Sequence, residues 1–322
     1  MIKTFLTYVS IFFFLMTQNA AHSQNSETKN NTMGVKEVNV VTIKWGSLYG
    51  AKDVNRIYKM VKANLSCKYK LRFHCFTDDS KGLDKSIESH PLPVVNVPKG
   101  KLPYAYQKEV GLCRDDLGGL KGKRVLFFDL DVVVTGVENI KSLDFSKDVC
   151  QEERGVLDGF FELPQGDDFY IIYDWHFRNG KRKGRVGNAS VYSWLVGSLG
   201  YVVKDYEKDP DFYVKKYYTA SQEYLSDKVI ERFGKLNFWP TVWVESFKED
   251  LLPVWFLRRF KAARRPSSET KICAFHGDPK IEDSVAGVWP IKVKNPFIKK
   301  IKAIYKTILP ASWVKEYLPL EN

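Results

Sequence analysis

Arg124-Val-Leu-Phe-Phe-Asp129-Leu-Asp131-Val-Val-Val134 is the stretch on which the fold turns. Apart from Asp129 and Asp131 its interior is continuously apolar, the pattern of a strand covered on both faces in a largely parallel sheet. The reading is one strand over residues 125–134. Side chains two apart share a face of a strand, so the two acids are expected side by side. Burying two ionised carboxylates together is costly unless cationic charge compensates them. A divalent metal ion is the natural compensation. The other reading is a structural pair at the solvent end of the strand, capped by Lys or Arg. In open α/β sheets, ligands gather at the carboxyl ends of strands, where this pair falls.

Outward from that strand the pattern alternates. Residues 38–44 (VNVVTIK) read as a buried strand, and 49–65 as a helix with Val54, Ile57, Tyr58, Val61 and Leu65 on one side. Residues 71–77 (LRFHCFT) read as a second strand and 94–97 as a short third. Residues 107–116 read as a helix closed by Leu117-Gly118-Gly119. Downstream, 168–173 reads as a strand, 188–196 as strand or helix, 222–233 as a helix, and 271–275 as a strand running into His276-Gly277. Residues 137–167, rich in charge and Gly, read as an insertion or mobile loop. The alternation implies an α/β fold, with a mostly parallel central sheet and helices on both faces.

The chain has 322 residues, 44% hydrophobic and 27% charged, which places it among globular proteins rather than disordered ones. Fifty Lys and Arg against 38 Asp and Glu give +12. Such a surface favours anionic partners. Much of the excess lies in 258–265 and 292–306, and no nucleic-acid motif accompanies it, so an anionic membrane is preferred over nucleic acid. Phe297, Ile298, Ile301, Ile304, Tyr305, Ile308 and Leu309 fall on one helical face, with Lys299, Lys300, Lys302 and Lys306 on most of the rest. Residues 297–309 thus have the pattern of a helix lying in a membrane interface, or of one packed back on the domain with a solvated lysine face.

Five cysteines, an odd number without a Cys-x-x-Cys pair, argue against a disulfide framework and a zinc site; free thiols in a reducing compartment are expected. At the N-terminus, Lys3, the apolar run 5–16 and Ala20-Ala21-His22-Ser23 resemble a signal peptide. The division expected is a leader-like segment and polar linker over 1–32, a catalytic domain over 33–290 and a basic amphipathic tail over 291–322. Either 1–32 is an export signal or anchor, or translation starts at Met33. The expected location is the cytoplasm, peripheral on the inner face of the membrane, with export or anchoring left open.

Five ordered matches over residues 38–288 carry a resemblance. The chain is similar to the GT-A-fold (nucleotide-diphospho-sugar transferase) glycosyltransferases related to glycogenin and the bacterial lipopolysaccharide galactosyl- and glucosyltransferases. In Thr42-Ile-Lys-Trp-Gly-Ser-Leu-Tyr49-Gly50-Ala51 the resemblance implies that Thr42 and Tyr49 surround the donor's base, Tyr49 stacking on uracil; a core tyrosine is the alternative. In Phe76-Thr77-Asp78, Asp78 would accept a hydrogen bond from base or ribose, or cap a turn. In Tyr106-Gln-Lys108, Lys108 would neutralise phosphate charge. Asn188-Ala189-Ser190-Val191 resembles the family's Asn-Ala-Gly-Val stretch at the donor sugar. Cys273-Ala-Phe-His276-Gly277-Asp-Pro-Lys280 resembles its Phe-His-Gly-x-x-Lys-Pro segment. There His276 would join Asp129 and Asp131 as metal ligand, Gly277 would allow close backbone approach, and Lys280 would grip the diphosphate. One departure stands out: the family's Asp-Gln is replaced by Ser221-Gln222-Glu223-Tyr224, leaving Gln222 and Glu223, with Asp131, as catalytic candidates.

The resemblance implies Mn²⁺ (or Mg²⁺), a UDP-sugar donor, and transfer of a hexose to a glycan or lipid-linked acceptor with retention of configuration, in polysaccharide or lipopolysaccharide synthesis. Two other readings compete. A haloacid-dehalogenase-type phosphatase would use Asp129 as nucleophile, with Gly277-Asp278 and Asp283 as its acidic metal motif. There, however, the acid falls on the first strand and is followed by Gly-Thr. Here residues 33–124 precede it and Val132-Val133 follows. A secreted carbohydrate-binding protein would fit the leader and the aromatics and leave the ordered acids, His and Lys unexplained.

Overall fold

The computed structural model describes residues 35–320 apart from 182 and 185. The expected leader, linker and Met33 start lie outside the described residues. Ten strands are described: β1 Lys36–Lys44, β2 Tyr69–Thr77, β3 Ile87–His90, β4 Arg124–Phe128, β5 Val132–Val134, β6 Tyr170–Tyr173, β7 Gly187–Leu195, β8 Asn237–Phe238, β9 Val244–Ser246 and β10 Ile272–Ala274. Seven form a sheet in the order β3-β2-β1-β4-β7-β6-β8, and three form a smaller one, β5-β10-β9. In the large sheet β3, β2, β1 and β4 run parallel, β7 is antiparallel to both its neighbours, and β8 is parallel to β6.

Alternation explains why the sheet is buried on both faces. Val38 and Val40 of β1, with Leu126 and Phe128 of β4, enter one apolar cluster; Val41 and Ile43, with Val125 and Phe127, enter the other. Helices supply the cover. Val54, Ile57, Met60 and Val61 of Ala51–Ala63 pack on the first side, and Tyr224, Leu225 and Val229 of Ser221–Phe233 on the second. The expected mostly parallel α/β layering is present.

Several local expectations change. The strand over 125–134 is broken. β4 lies in the large sheet and β5 pairs antiparallel with β10 in the small one, leaving 129–131 in the gap between them. Hydrogen bonds from three directions hold that gap: Asp129 N donates to the Ser190 carbonyl at 2.8 Å, the Arg56 guanidinium to the Leu130 carbonyl at 3.2 Å, and Phe275 N to the Asp131 carbonyl at 2.9 Å. The third strand is β3, not 94–97, where Pro91, Pro93 and Pro98 interrupt any ladder. The helix over 107–116 is a single turn, Tyr106–Glu109, followed by a 3₁₀ turn, Gly111–Cys113. Residues 188–196 resolve as strand β7.

Segment 137–167 is pinned rather than loose. Leu157 and Phe160 are in the core, and the buried Asp158 carboxylate accepts from Ser66 N at 3.1 Å and Gly155 N at 3.2 Å. Cys67 and Cys150 are disulfide-bonded across this junction, which overturns the expectation of five free thiols; Cys75, Cys113 and Cys273 are free and buried. Part of the segment 291–322 packs on the core. Ile308, Ala311, Trp313, Val314 and Tyr317 are buried, and Trp313 Nε1 donates to the Ala263 carbonyl at 3.3 Å. The helix Pro296–Tyr305 has no buried residue. Among the described residues no helix is long and apolar enough to cross a membrane.

Candidate active site

The gap between β4 and β5 opens at the carboxyl ends of β1 and β4. Leu130 points into the core, 1% exposed, and its flanking acids turn the other way. Each acid meets a lysine. Lys108 Nζ donates to Asp129 Oδ2 at 2.7 Å and lies 3.3 Å from Glu109 Oε1. Lys280 Nζ donates to Asp131 Oδ2 at 2.8 Å and to the Tyr49 hydroxyl at 2.7 Å; Tyr49 in turn donates to the same Asp131 oxygen at 3.1 Å. Burial pushes the Asp129 carboxyl above the ordinary carboxylate range, opposed by Lys108. Burial also pulls the Lys108 ammonium down, but Asp129 and Glu109 outweigh it and hold it above its usual value, so it stays charged. Burial, then Asp131, pushes the Tyr49 phenol up, so it remains a donor.

Asp131 Oδ1 is buried without a hydrogen-bond partner. An orphaned carboxylate oxygen in such a place is costly unless something cationic fills the position. Hard carboxylate oxygens suit Mn²⁺ or Mg²⁺, so Asp129 and Asp131 fit the implied ion. The third expected ligand stands differently. His276 Nε2 shares a 2.7 Å hydrogen bond with Ser246 Oγ, and its ring stacks on Trp175 at 4.7 Å between centroids. Burial, then the Lys248 ammonium, lowers its pKa to about 4, leaving a neutral imidazole. Asp129, Asp131 and His276 do not draw their ligand atoms within 4.8 Å of one another; among the described residues the group that does is His74, Glu88 and His90.

The remaining predicted residues spread around this centre. Thr42 is fully buried and its hydroxyl donates to the Phe128 carbonyl at 2.9 Å, holding β1 against the end of β4. Asp78 is exposed and accepts from Gly46 N at 2.9 Å, tying the loop after β1 to the end of β2. Asn188, on β7, faces Gln222 at 3.4 Å, and Ala189 beside it is buried. Gln222 Nε2 donates to Asp174 Oδ2 at 3.2 Å, and half-buried Glu223 shares the first turn of that helix. Gly277 has φ +75°, a conformation that disfavours any side chain, and Lys248 Nζ lies 3.5 Å from where a Cβ would be. A cleft of about 290 Å³ beside Asp131 is lined by Tyr49, Lys52, Arg56 and Lys280.

Four residues around the site were missed in the sequence. Asp174 directly follows β6, caps the next turn by accepting from His176 N at 2.9 Å, and lowers the cost of charge near His276; a carboxylate just after a strand was its only signal. Trp175 forms the floor under His276. Trp45 and Tyr104 stack at 4.5 Å beside the Asp78 loop, with Tyr104 half-exposed, and offer a flat aromatic surface near the acids.

No protein-family model matches the chain, and no curated protein matches it in sequence. Solved structures do. The galactosyltransferase LgtC in complex with donor and acceptor sugar analogs is 13% identical with a TM-score of 0.44, covering 87% of this chain and 100% of that one. Mouse xyloside xylosyltransferase 1 is 10% identical at 0.42, covering 74% and 98%. The glycosyltransferase GlyE of Streptococcus pneumoniae TIGR4 is 13% identical at 0.45, covering 87% and 63%. At such identities the chemistry has to be read from this chain's own side chains.

Proposed function

We propose that this chain is a metal-dependent glycosyltransferase that moves a hexose from a nucleotide-sugar donor, a UDP-sugar, to a glycan or lipid-linked acceptor. The observation that carries this reading is the pair of acids at the ends of β4 and β5. Each is bound by one lysine, and Asp131 has an oxygen left over. Asp129 and Asp131 would hold Mn²⁺ or Mg²⁺, with His276 as third ligand once released from Ser246. Such an ion, when bound, supplies Lewis acidity toward the departing diphosphate. The chain's own groups do the rest. Lys280, with Lys52 and Arg56 along the adjoining cleft, offers positive charge to diphosphate oxygens. Lys108 opposes the upward push that burial exerts on the Asp129 carboxyl. Asn188, Gln222 and Asp174 form a polar chain suited to sugar hydroxyls, and the Trp45–Tyr104 stack, with Tyr49, suits a flat base.

The phosphatase reading loses its supporting acids. Asp283 accepts from Lys280 N at 3.0 Å as part of a helix cap, and Asp278 pairs with Lys292. The deciding experiment measures UDP release from a panel of UDP-sugars with and without Mn²⁺. Metal-dependent release of one sugar supports the proposal. Full activity in EDTA, or a covalent phosphate trapped on Asp129, overturns it.

We also propose docking on an anionic bilayer. Phe297, Ile298, Ile301 and Ile304 of the helix Pro296–Tyr305 are exposed, as are neighbouring Trp255 and Phe256, and lysines flank them. Ile308 is buried, so this face ends near Tyr305 rather than Leu309. From the Cys67–Cys150 disulfide we propose an oxidising compartment as the location, in place of the cytoplasm expected in the sequence analysis.

A further inference from the structure

The edge of the large sheet carries a second polar cluster that the catalytic reading does not use. β3 pairs parallel with β2, His74 opposite Glu88 and Phe76 opposite His90. His74 is fully buried, while Glu88 and His90 are partly exposed. His74 Nδ1 lies 3.1 Å from His90 Nε2 and 3.7 Å from Glu88 Oε2. Tetrahedral zinc with bonds of about 2.0–2.1 Å sets its ligand atoms about 3.3 Å apart. The two separations from His74 already stand near that spacing, and the three ligand atoms all lie within 4.8 Å of one another.

The surroundings orient them. Asn39 Oδ1, 3.2 Å from His74 Nε2, can only accept, so His74 carries its proton on Nε2 and turns the Nδ1 lone pair toward the cluster. That is the outer hydrogen bond by which metal-ligating histidines are held. Arg72 grips both oxygens of the Glu88 carboxylate, Oε1 at 2.7 Å and Oε2, the oxygen that faces His74, at 2.6 Å, and fixes its orientation. His90 is stacked on Phe76 at 4.9 Å.

We propose that His74, Glu88 and His90 form a site for a zinc-class divalent cation, separate from the Asp129–Asp131 centre. On loading, His90 moves its proton from Nε2 to Nδ1, so both imidazoles ligate as neutral groups, and solvent at the open edge supplies the fourth position. Two imidazoles and a carboxylate suit zinc and cobalt. The cation clamps edge strand β3 to β2 and steadies the proline-rich stretch that leads to Tyr104 and Lys108. The absence of Cys-x-x-Cys in the sequence excludes only a thiolate site.

The test uses tag-free, full-length protein carrying Asp129→Ala and Asp131→Ala, stripped with a chelator and titrated with Co²⁺. This background removes the acids of the proposed transferase, so the result is independent of that reading. One equivalent of Co²⁺ should give an intense tetrahedral visible band with no thiolate charge-transfer band, displaced by one equivalent of Zn²⁺. His90→Ala and Glu88→Gln should each weaken binding at least tenfold, and Asn39→Ala roughly tenfold through the outer bond. Circular dichroism shows which variants are folded, and the conservative Glu88→Gln serves should His90→Ala fail. No band, or unchanged affinity in a folded ligand variant, overturns the proposal.

Discussion

Asp131 holds two partners on one carboxylate oxygen and none on the other. Asp131→Asn keeps the shape and removes the charge. It should cut sugar transfer by about 100-fold or more, as loss of an electrostatic group at a reacting centre does, with circular dichroism unchanged; an active Asp131→Asn enzyme would refute the site. Lys108 differs from Lys280 in what it leaves behind. Lys108→Met strands Asp129 and Glu109, both in contact with its ammonium, and should lower unfolding free energy by about 3–5 kcal/mol in urea. Lys280→Met leaves Tyr49 still bonded to Asp131, so its main effect should be a raised KM for donor. The acids were legible because buried carboxylates in an apolar run demand a reason. Asp174 was not, because a single acid after a four-residue strand looks like any helix cap, and its contact with Gln222 joins residues 48 apart.

At the level of elements, the apolar run through Asp129 was legible as strand and its break was not. Both halves are buried strands; what separates them is the partner, β7 for one and β10 for the other, and neither pairing is encoded locally. Leu130 is the peg in the break, fully packed in the core. Leu130→Ala should cost about 2–5 kcal/mol and loosen the two acids together, so Mn²⁺ affinity should fall with stability. A thermal melt paired with a metal titration checks this, and a melt that drops while metal binding holds would mean the peg does not position the acids. The helix Pro296–Tyr305 was legible from periodicity alone, whereas the return of 308–317 into the core was not, since Trp313 and Tyr317 meet partners far back in the chain. Phe297→Ser with Ile301→Ser should abolish flotation with anionic vesicles at low salt and leave solution activity unchanged. If wild type does not float, the helix is not a membrane element.

The whole molecule is where counting residues failed. An odd cysteine number says nothing about which pair a fold brings together, and Cys67 and Cys150 are 83 positions apart. They meet because 137–167 folds back on the end of the first helix, where Gln151 N donates to the Leu65 carbonyl and Cys67 N to the Gln151 carbonyl. Gly155 completes the fit, since a Cβ there would lie 2.4 Å from Ser66 N. Closing so long a loop restricts the unfolded chain, so the bond should contribute about 2–4 kcal/mol. Reductant should therefore lower the unfolding midpoint of the wild type and leave that of Cys67→Ser with Cys150→Ser unmoved. Alkylation distinguishes the compartments directly. Protein drawn from its native source and denatured without reductant should take label on Cys75, Cys113 and Cys273 only, and on all five cysteines after reduction. Five labelled thiols without reductant would mean that the pair stays reduced in the cell and would return the protein to a reducing compartment.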